Sequence, residues 1–272
     1  MRKQPLTHLT SEDVGRLVSS TSIILIPFGS CEQHGPHLPL ATDTIIAEQI
    51  SARIVREYGD RHDLVIAPTV PLGLSPEHQW APGTVSVSSS VATDLLRCIV
   101  GQLTSQTGAR RFVIVNGHGG NRGLLESVVR DLGVSNGAQV IAIHPLSGAQ
   151  RIAPEATADV HAGLIETSVM LALAPNLVHM DRLPTASVRN VPTAQQIQSQ
   201  VLDRFVTWPW DSADPLISQD GVIGADPRKA TADLGERVLQ HALNRTEAVI
   251  ARLHNENPPA PPTQVTKETA RC

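Results

Sequence analysis

RRFVIVNGHGGNRGLLESVVRDLG, residues 110–133, reads as a strand, a glycine-rich loop and a helix in direct succession. The run RRFVIVN is short, apolar and β-branched, as in a strand buried on both faces. NGHGGN follows neither the strand nor the helix period, and its glycines permit tight turns. RGLLESVVRDLG then spaces its apolar residues at helical intervals up to Gly133.

The same unit recurs along the chain. IILIPF (23–28) empties into the loop GSCEQHGPHLPLATD (29–43), and IIAEQISARIVREYG follows as a helix capped by Thr42 and stopped at Gly59. LVIAPTV (64–70) leads through PLGLSPEHQWAPGT to a helix over 90–107 before Gly108, and QVIAIHP (139–145) is a fourth strand. A short amphipathic stretch, LTSEDVGRLV, opens the chain with Thr10 or Ser11 as its cap. Two further helices are predicted, over 163–174 with Pro175 as terminator and over 228–253. Strands alternating with helices of about 12–18 residues are the mark of βαβ units. The sequence therefore predicts the α/β class, a three-layer α/β/α fold on a mostly parallel sheet, in a single domain spanning 1–254. Residues 180–225 read as irregular, and the proline-rich 255–272 as a disordered tail.

Composition narrows the function classes. The chain has 272 residues, 41% of them hydrophobic, enough for one large core. Its formal charge is -4 and its 22 basic residues are scattered, so no electrostatic footprint for nucleic acid is present. A small neutral or cationic substrate fits better. No segment approaches the roughly 20 apolar residues that span a bilayer, and no apolar run follows the basic start, so a soluble, cytoplasmic protein without membrane partners is expected. Cys31, Cys98 and Cys272 are odd in number and dispersed, which argues against a disulfide framework and fits a reducing compartment.

In open parallel sheets, ligands bind beyond the carboxyl ends of the strands. Here the loops leaving those ends carry Glu32, His34, His37 and Asp43 after the first strand, Glu77 and His78 after the second, His118 after the third and His144 after the fourth. Glu32 and His34 are two apart and share a side on an extended chain. Asp43 opens a helix, whose dipole favours its ionised form, and from there it could bridge two cations. His118 sits among glycines that allow close approach to a ligand. Glu166 lies on the helix opened by HAG, five residues after His161, beside the apolar VMLALA. Two imidazoles and three carboxylates form a mixed N/O donor set suited to Zn²⁺, Mn²⁺ or Fe²⁺. Two such ions can activate water and polarise a carbonyl, which points to hydrolysis of a C–N bond.

Each residue also has a plainer explanation. Lone loop histidines such as His8, His37, His62, His179, His241 and His254 are usually surface or capping groups. Trp208 and Trp210 read as packing over a loop rather than touching a substrate, and substrate choice is expected to lie in the 180–225 segment and in the loop around Trp80. Cys31 with His34 or His37 could form a thiol amidase, although two neighbouring acids would raise the thiol pKa. A non-catalytic metal- or ligand-binding module is the third reading.

The blocks GSCEQHGPHLPLATD, SPEHQWAPGT, VNGHGGN, HAGLIETSVMLALAP and DGVIGADPRKAT resemble, in order, the signature blocks of the creatininase family of metal-dependent amidohydrolases. The resemblance covers about residues 10–253. It implies an α/β/α fold, a site that is often dinuclear and a homohexamer acting on a small amide or short peptide. Carried over by motif, it implies Glu32 and His34 as ligands of different ions, Asp43 as the bridge, and His118 and Glu166 as the remaining ligands. His161 would pass a proton to the leaving nitrogen, with Glu166 beside it in the catalytic set. The family includes creatinine amidohydrolase and the peptidase that trims the mycofactocin precursor. This chain departs from the former at Gly120, where that enzyme carries a metal-binding glutamate, and at Thr157 and Val160, where it carries a tryptophan and a glutamate. Leu164 replaces the glutamate of a HAGE motif. GEHQ-type and HGGN loops are shared with the peptidase.

Overall fold

A computed structural model describes residues 5–257 apart from 157, 185–193, 204 and 219. In chain order its helices and strands are α1 (Ser11–Leu17), β1 (Ile23–Phe28), α2 (Thr42–His62), β2 (Leu64–Ile66), α3 (Ser89–Thr107), β3 (Arg111–Asn116), α4 (Arg122–Asn136), β4 (Gln139–Ile143), α5 (Leu164–Leu173), α6 (Ala194–Gln200) and α7 (Ala232–Asn255). The strands form one fully parallel sheet in the order β2-β1-β3-β4. Ile23 pairs with Leu64 on one side and Arg111 on the other, and Arg111 pairs with Gln139.

The strict alternation of strand side chains builds two cores from one sheet. Ile23, Leu25, Val113 and Val115 pack with Ile46, Ile50 and Ile54 of α2, Val169 and Met170 of α5, and Leu234, Val238 and Leu239 of α7. Ile24, Ile26, Phe28, Phe112 and Ile114 pack instead with Leu96 and Val100 of α3 and Leu125, Val128 and Leu132 of α4. Each of these large apolar side chains contributes about 1.5–3 kcal/mol of burial. The result is the expected three-layer α/β/α arrangement.

Several boundaries differ from the sequence reading, each for a local reason. Gly59 and Gly133 lie inside α2 and α4, because a glycine weakens a packed helix by only about 1 kcal/mol and does not end it. Both helices end one turn later, at Asp63 (φ 52) and Gly137 (φ 56), whose left-handed backbones turn the chain. Thr42 is the first residue of α2 rather than its cap; Ala41 takes that place, and the Thr42 hydroxyl donates to the Pro39 carbonyl at 2.7 Å. β2 stops at Ile66, since Pro68 has no N–H to offer, and pairing resumes only at the Phe28–Val70 bridge. β4 ends at Ile143, two residues early. The last helix is split: Pro227–Lys229 forms a 3₁₀ turn, and α7 begins after Thr231, whose hydroxyl accepts the Leu234 N–H at 3.1 Å. The irregular 180–225 stretch contains α6. Cys31 is a free thiol, but Cys98 takes part in a disulfide, which the odd cysteine count did not suggest. Thr157 and residues 258–272 of the predicted tail lie outside the described residues.

The strand order has a functional corollary. The chain leaves β1 for β2 on one side and later returns for β3 on the other, so the loops after β1 and β3 part and leave a crevice at the carboxyl ends of these two strands.

Candidate metal centre

Main-chain bonds pin the loop after β1 into that crevice. Gly29 N–H donates to the Val70 carbonyl and Glu32 N–H to the Leu40 carbonyl, both at 3.0 Å. His34 bridges to Leu38 and Cys31 to Val85. Glu32 and His34 are thereby turned inward and fully buried. Asp43, the second residue of α2, projects from the same side with 1% of its surface exposed. The β3 loop lies directly on this helix start: a Cβ on Gly117 would collide with the Asp43 carbonyl oxygen. Such close approach is possible only for glycine, and it delivers His118 to Asp43.

α5 supplies the third wall. Its entry passes through Ala162, a buried non-glycine residue with φ 53, a conformation that costs about 1–2 kcal/mol. The Ala162 N–H donates to Glu166 Oε2 at 2.6 Å, and the Ile165 N–H donates to Asp159 Oδ2 at 2.6 Å. These bonds aim Glu166 and His161 at the other ligand-type side chains.

All six residues singled out by sequence meet here. His34 Nε2 lies 3.2 Å from Asp43 Oδ1, 3.9 Å from Glu166 Oε2 and 4.0 Å from Glu32 Oε1. His118 Nδ1 lies 3.0 Å from Asp43 Oδ2, and its Nε2 3.3 Å from Glu32 Oε2. His161 Nδ1 lies 3.4 Å from Glu32 Oε1. Among the described residues, three triads have donor atoms close enough to hold one ion each: Glu32–Asp43–His118, His34–Asp43–Glu166 and Glu32–His34–His161. Asp43 belongs to the first two.

The hydrogen-bond accounting shows what these groups lack. Each imidazole has a backbone carbonyl for one nitrogen: Glu32 O for His34 Nδ1 (3.1 Å), Leu74 O for His118 Nε2 (2.7 Å) and Gln33 O for His161 Nε2 (2.7 Å). A carbonyl only accepts, so those nitrogens carry the protons and the opposite nitrogens offer lone pairs to carboxylates. In the neutral rings these lone pairs face carboxylate oxygens at 3.0–3.4 Å, a repulsive pairing relieved by a metal ion between them or, without one, by a second proton on the imidazole. Glu32 Oε1 and Asp43 Oδ2 are buried with imidazole nitrogens as their near neighbours, a costly state for a carboxylate when those rings are neutral. The donor set and these oxygens thus fit divalent-metal binding.

Without metal, the groups neutralise one another. Burial pulls the His34 and His118 pKa values down, but the surrounding carboxylates outweigh it and hold them up at about 9 and about 10. Burial pushes Glu32 up to about 7 and Glu166 to about 8, against the pull of the histidines. Asp43 goes the other way: despite burial, His34 and His118 hold it well below the usual carboxylate range. Near neutral pH the cluster therefore stores protons that an entering cation has to displace. Loading with Zn²⁺ or Mn²⁺ is expected to release protons and to weaken on acidification; calorimetry in buffers of different ionisation enthalpy measures the count, and no release between about pH 6 and 8 would contradict it.

Other residues were missed or misjudged by sequence. His78, buried, stacks on His161 with ring centroids 4.1 Å apart, and its Nε2 lies 3.5 Å from Glu32 Oε1. Its Nδ1 meets Ser212 Oγ at 2.7 Å, and Ser212 also accepts the Trp80 indole N–H at 2.7 Å, tying the 212 segment to the SPEHQW loop. Gln33 reaches His78, His161 and the Gly221 carbonyl from one side-chain nitrogen. The signal available was the Glu77-His78 pair after β2, which had no assigned role. His37 is no surface histidine; it is fully buried behind His34. His144 pairs with Asn116 Nδ2 at 3.0 Å and belongs to none of the three triads. The Cys31 thiol points to the Gly83 carbonyl at 3.6 Å, which offers it no base.

The match of a family profile decides what kind of protein presents this site: the model of the Creatininase family, described as creatinine amidohydrolase, fits residues 7–250. The chain belongs to the creatininase family. Among curated relatives, the mycofactocin precursor peptide peptidase of Mycolicibacterium smegmatis is 37% identical over 84% of either chain. The creatinine amidohydrolase of Pseudomonas putida is 27% identical over 62% of this chain and 70% of its own. A solved structure of a putative creatinine amidohydrolase from Bacteroides fragilis superposes with a TM-score of 0.78 at 24% identity, covering 94% of this chain and 98% of its own. Creatininase structures of the same fold include one described as a manganese form and one as a Zn-Zn form. Against the creatininase sequence pattern, Gly120 is a steric statement: a Cβ there would strike His118 Nε2 and the Leu74 carbonyl, so a glutamate has no room. Glu166 lies within reach of His34 and Asp43 instead.

Proposed function

We propose that this creatininase-family chain is a hydrolase holding two divalent ions, Zn²⁺ or Mn²⁺, with Fe²⁺ suited to the same donors, and cleaving the amide bond of a short peptide or small amide. Glu32 and His118 would hold one ion, His34 and Glu166 the other, and Asp43 both. The observation that carries this reading is the membership of Asp43 in two triads at once. Bound ions supply carbonyl polarisation and a water that ionises near neutral pH.

The remaining roles fall to the chain. His161 is held neutral by burial and by the neighbouring His34 and His78, with its Nδ1 lone pair facing the cluster. In this reading it takes a proton from the attacking water and hands it to the leaving nitrogen. Glu166, fixed by the Ala162 N–H next to His161, lies 3.9 Å from His34 Nε2. Stretches 23–52, 62–96, 112–121 and 205–226 contain no lysine or arginine. A substrate with phosphate or several carboxylates would meet no lysine or arginine from those stretches, so neutral or cationic amides are favoured. Identity to the peptidases exceeds that to creatinine amidohydrolase and extends over more of the chain, which favours a peptide over creatinine. A homohexamer in the cytoplasm goes with this reading on the family resemblance; sedimentation and fractionation test it.

The deciding experiment is turnover of short peptides, formamides, lactams and creatinine by purified protein before and after a strong chelator. Activity should vanish on chelation and return with Mn²⁺ or Zn²⁺; full activity in stripped protein overturns the reading, and tight metal uptake without turnover of any amide favours a binding module. His161 also stands in the Glu32–His34–His161 triad, so it has a second reading as a ligand. His161→Ala is expected to keep its metal content while kcat falls by about 10²–10⁴. Loss of an ion in that variant would make His161 a ligand instead.

A further inference from the structure

His37 is a fully buried histidine that the reaction described above does not use. Its Nε2 lies 2.8 Å from Thr167 Oγ1, next in sequence to Glu166. The Thr167 hydroxyl has its own acceptor, the Ala162 carbonyl at 3.4 Å, so it receives the His37 N–H while donating onward. His37 Nδ1, which has no partner, is then the lone-pair nitrogen, the less costly of the two to leave unpaired. Ala162 in turn donates its N–H to Glu166 Oε2. The chain of contacts runs from the β1 loop, which carries His34, through His37, Thr167 and the left-handed Ala162 to Glu166. The His37 carbonyl also accepts the His179 N–H at 2.8 Å, so its backbone is anchored from a third segment.

We infer that His37 is a positioning residue that locks α5 to the β1 loop through Thr167 and Ala162, and thereby sets the place of Glu166 in the His34–Asp43–Glu166 triad; Glu166 is absent from the Glu32–Asp43–His118 triad. A left-handed alanine persists only when its surroundings hold it; its peptide units are held by Thr167 and Glu166 and, on the His161 carbonyl, by the Ile223 N–H at 2.9 Å. The inference rests on the two-ion reading. It predicts an asymmetric loss: loosening His37 releases one ion and spares the other.

The test is metal content and stepwise affinity of the full chain with Zn²⁺ or Mn²⁺, read by elemental analysis and calorimetry. Wild type should hold two ions per chain. His37→Leu should weaken one of the two sites by roughly 10–100-fold and leave the other unchanged. Thr167→Val, nearly isosteric and so safe for folding, should do the same, and His37→Gln, which can still donate to Thr167, should recover most of the loss. Two ions with wild-type affinities in both disruptive variants overturn the positioning role while leaving the two-ion reading intact, as does an equal weakening of both sites. A single ion in wild type overturns the two-ion reading and this inference with it.

Discussion

Asp43→Ala is expected to empty the site of both ions and to lower kcat/KM by at least about a thousandfold, equivalent to roughly 4 kcal/mol of transition-state stabilisation. The reason is its double membership. Asp43 Oδ1 faces His34 at 3.2 Å and Oδ2 faces His118 at 3.0 Å, so one truncation removes a donor from each of two triads. Glu166→Ala or His118→Ala removes a donor from only one of those two triads and should leave a measurable residue of metal. Elemental analysis of dialysed protein separates the cases: if the Asp43 variant still retains two ions, the carboxylate is not shared and the dinuclear arrangement fails. Stability should fall as well in the metal-free state, because Asp43 is the buried carboxylate that holds the charge of His34 and His118 and its removal leaves them unpaired.

Gly117→Ala should be the most damaging single methyl group near the centre. The added carbon would run into the backbone carbonyl of Asp43 and approach the Ala47 side chain, and neither backbone is the loose end of a flexible chain. The β3 loop would have to lift from α2, separating His118 from Asp43. Overpacking of this kind costs about 1–3 kcal/mol in stability, and metal affinity should fall with it. Chemical denaturation and metal titration of the same preparation check both effects. Wild-type values in both would mean that the loop yields without moving His118.

Much of this was legible in sequence because parallel α/β folds are locally encoded. IILIPF and RFVIVN are buried on both faces and read as strands without ambiguity, and the loops after them are too polar to be anything but exits from the sheet. Glu32, His34, Asp43 and His118 could be named because each sits at a fixed distance from such a strand. Helix ends were less legible: Gly59 and Gly133 look like stops, but the energy that carries α2 and α4 past them comes from Tyr58 and Leu132 packing on cores assembled elsewhere. His37 and His78 were illegible for the same kind of reason. Their burial depends on Thr167 and Ser212, 130 and 134 residues away, and no local pattern announces a partner at that range.

The three imidazoles take their orientation from peptide carbonyls rather than from other side chains. Nothing in the amino-acid identity of Gln33 or Leu74 is needed to supply those oxygens, since every residue type brings one. Exchanges on the rim can therefore accumulate, and new substrates can be tried, while the nitrogens keep their aim. Insertions or deletions between 29 and 34, or next to Leu74, have no such licence, because a one-residue slip would present a different oxygen to each ring.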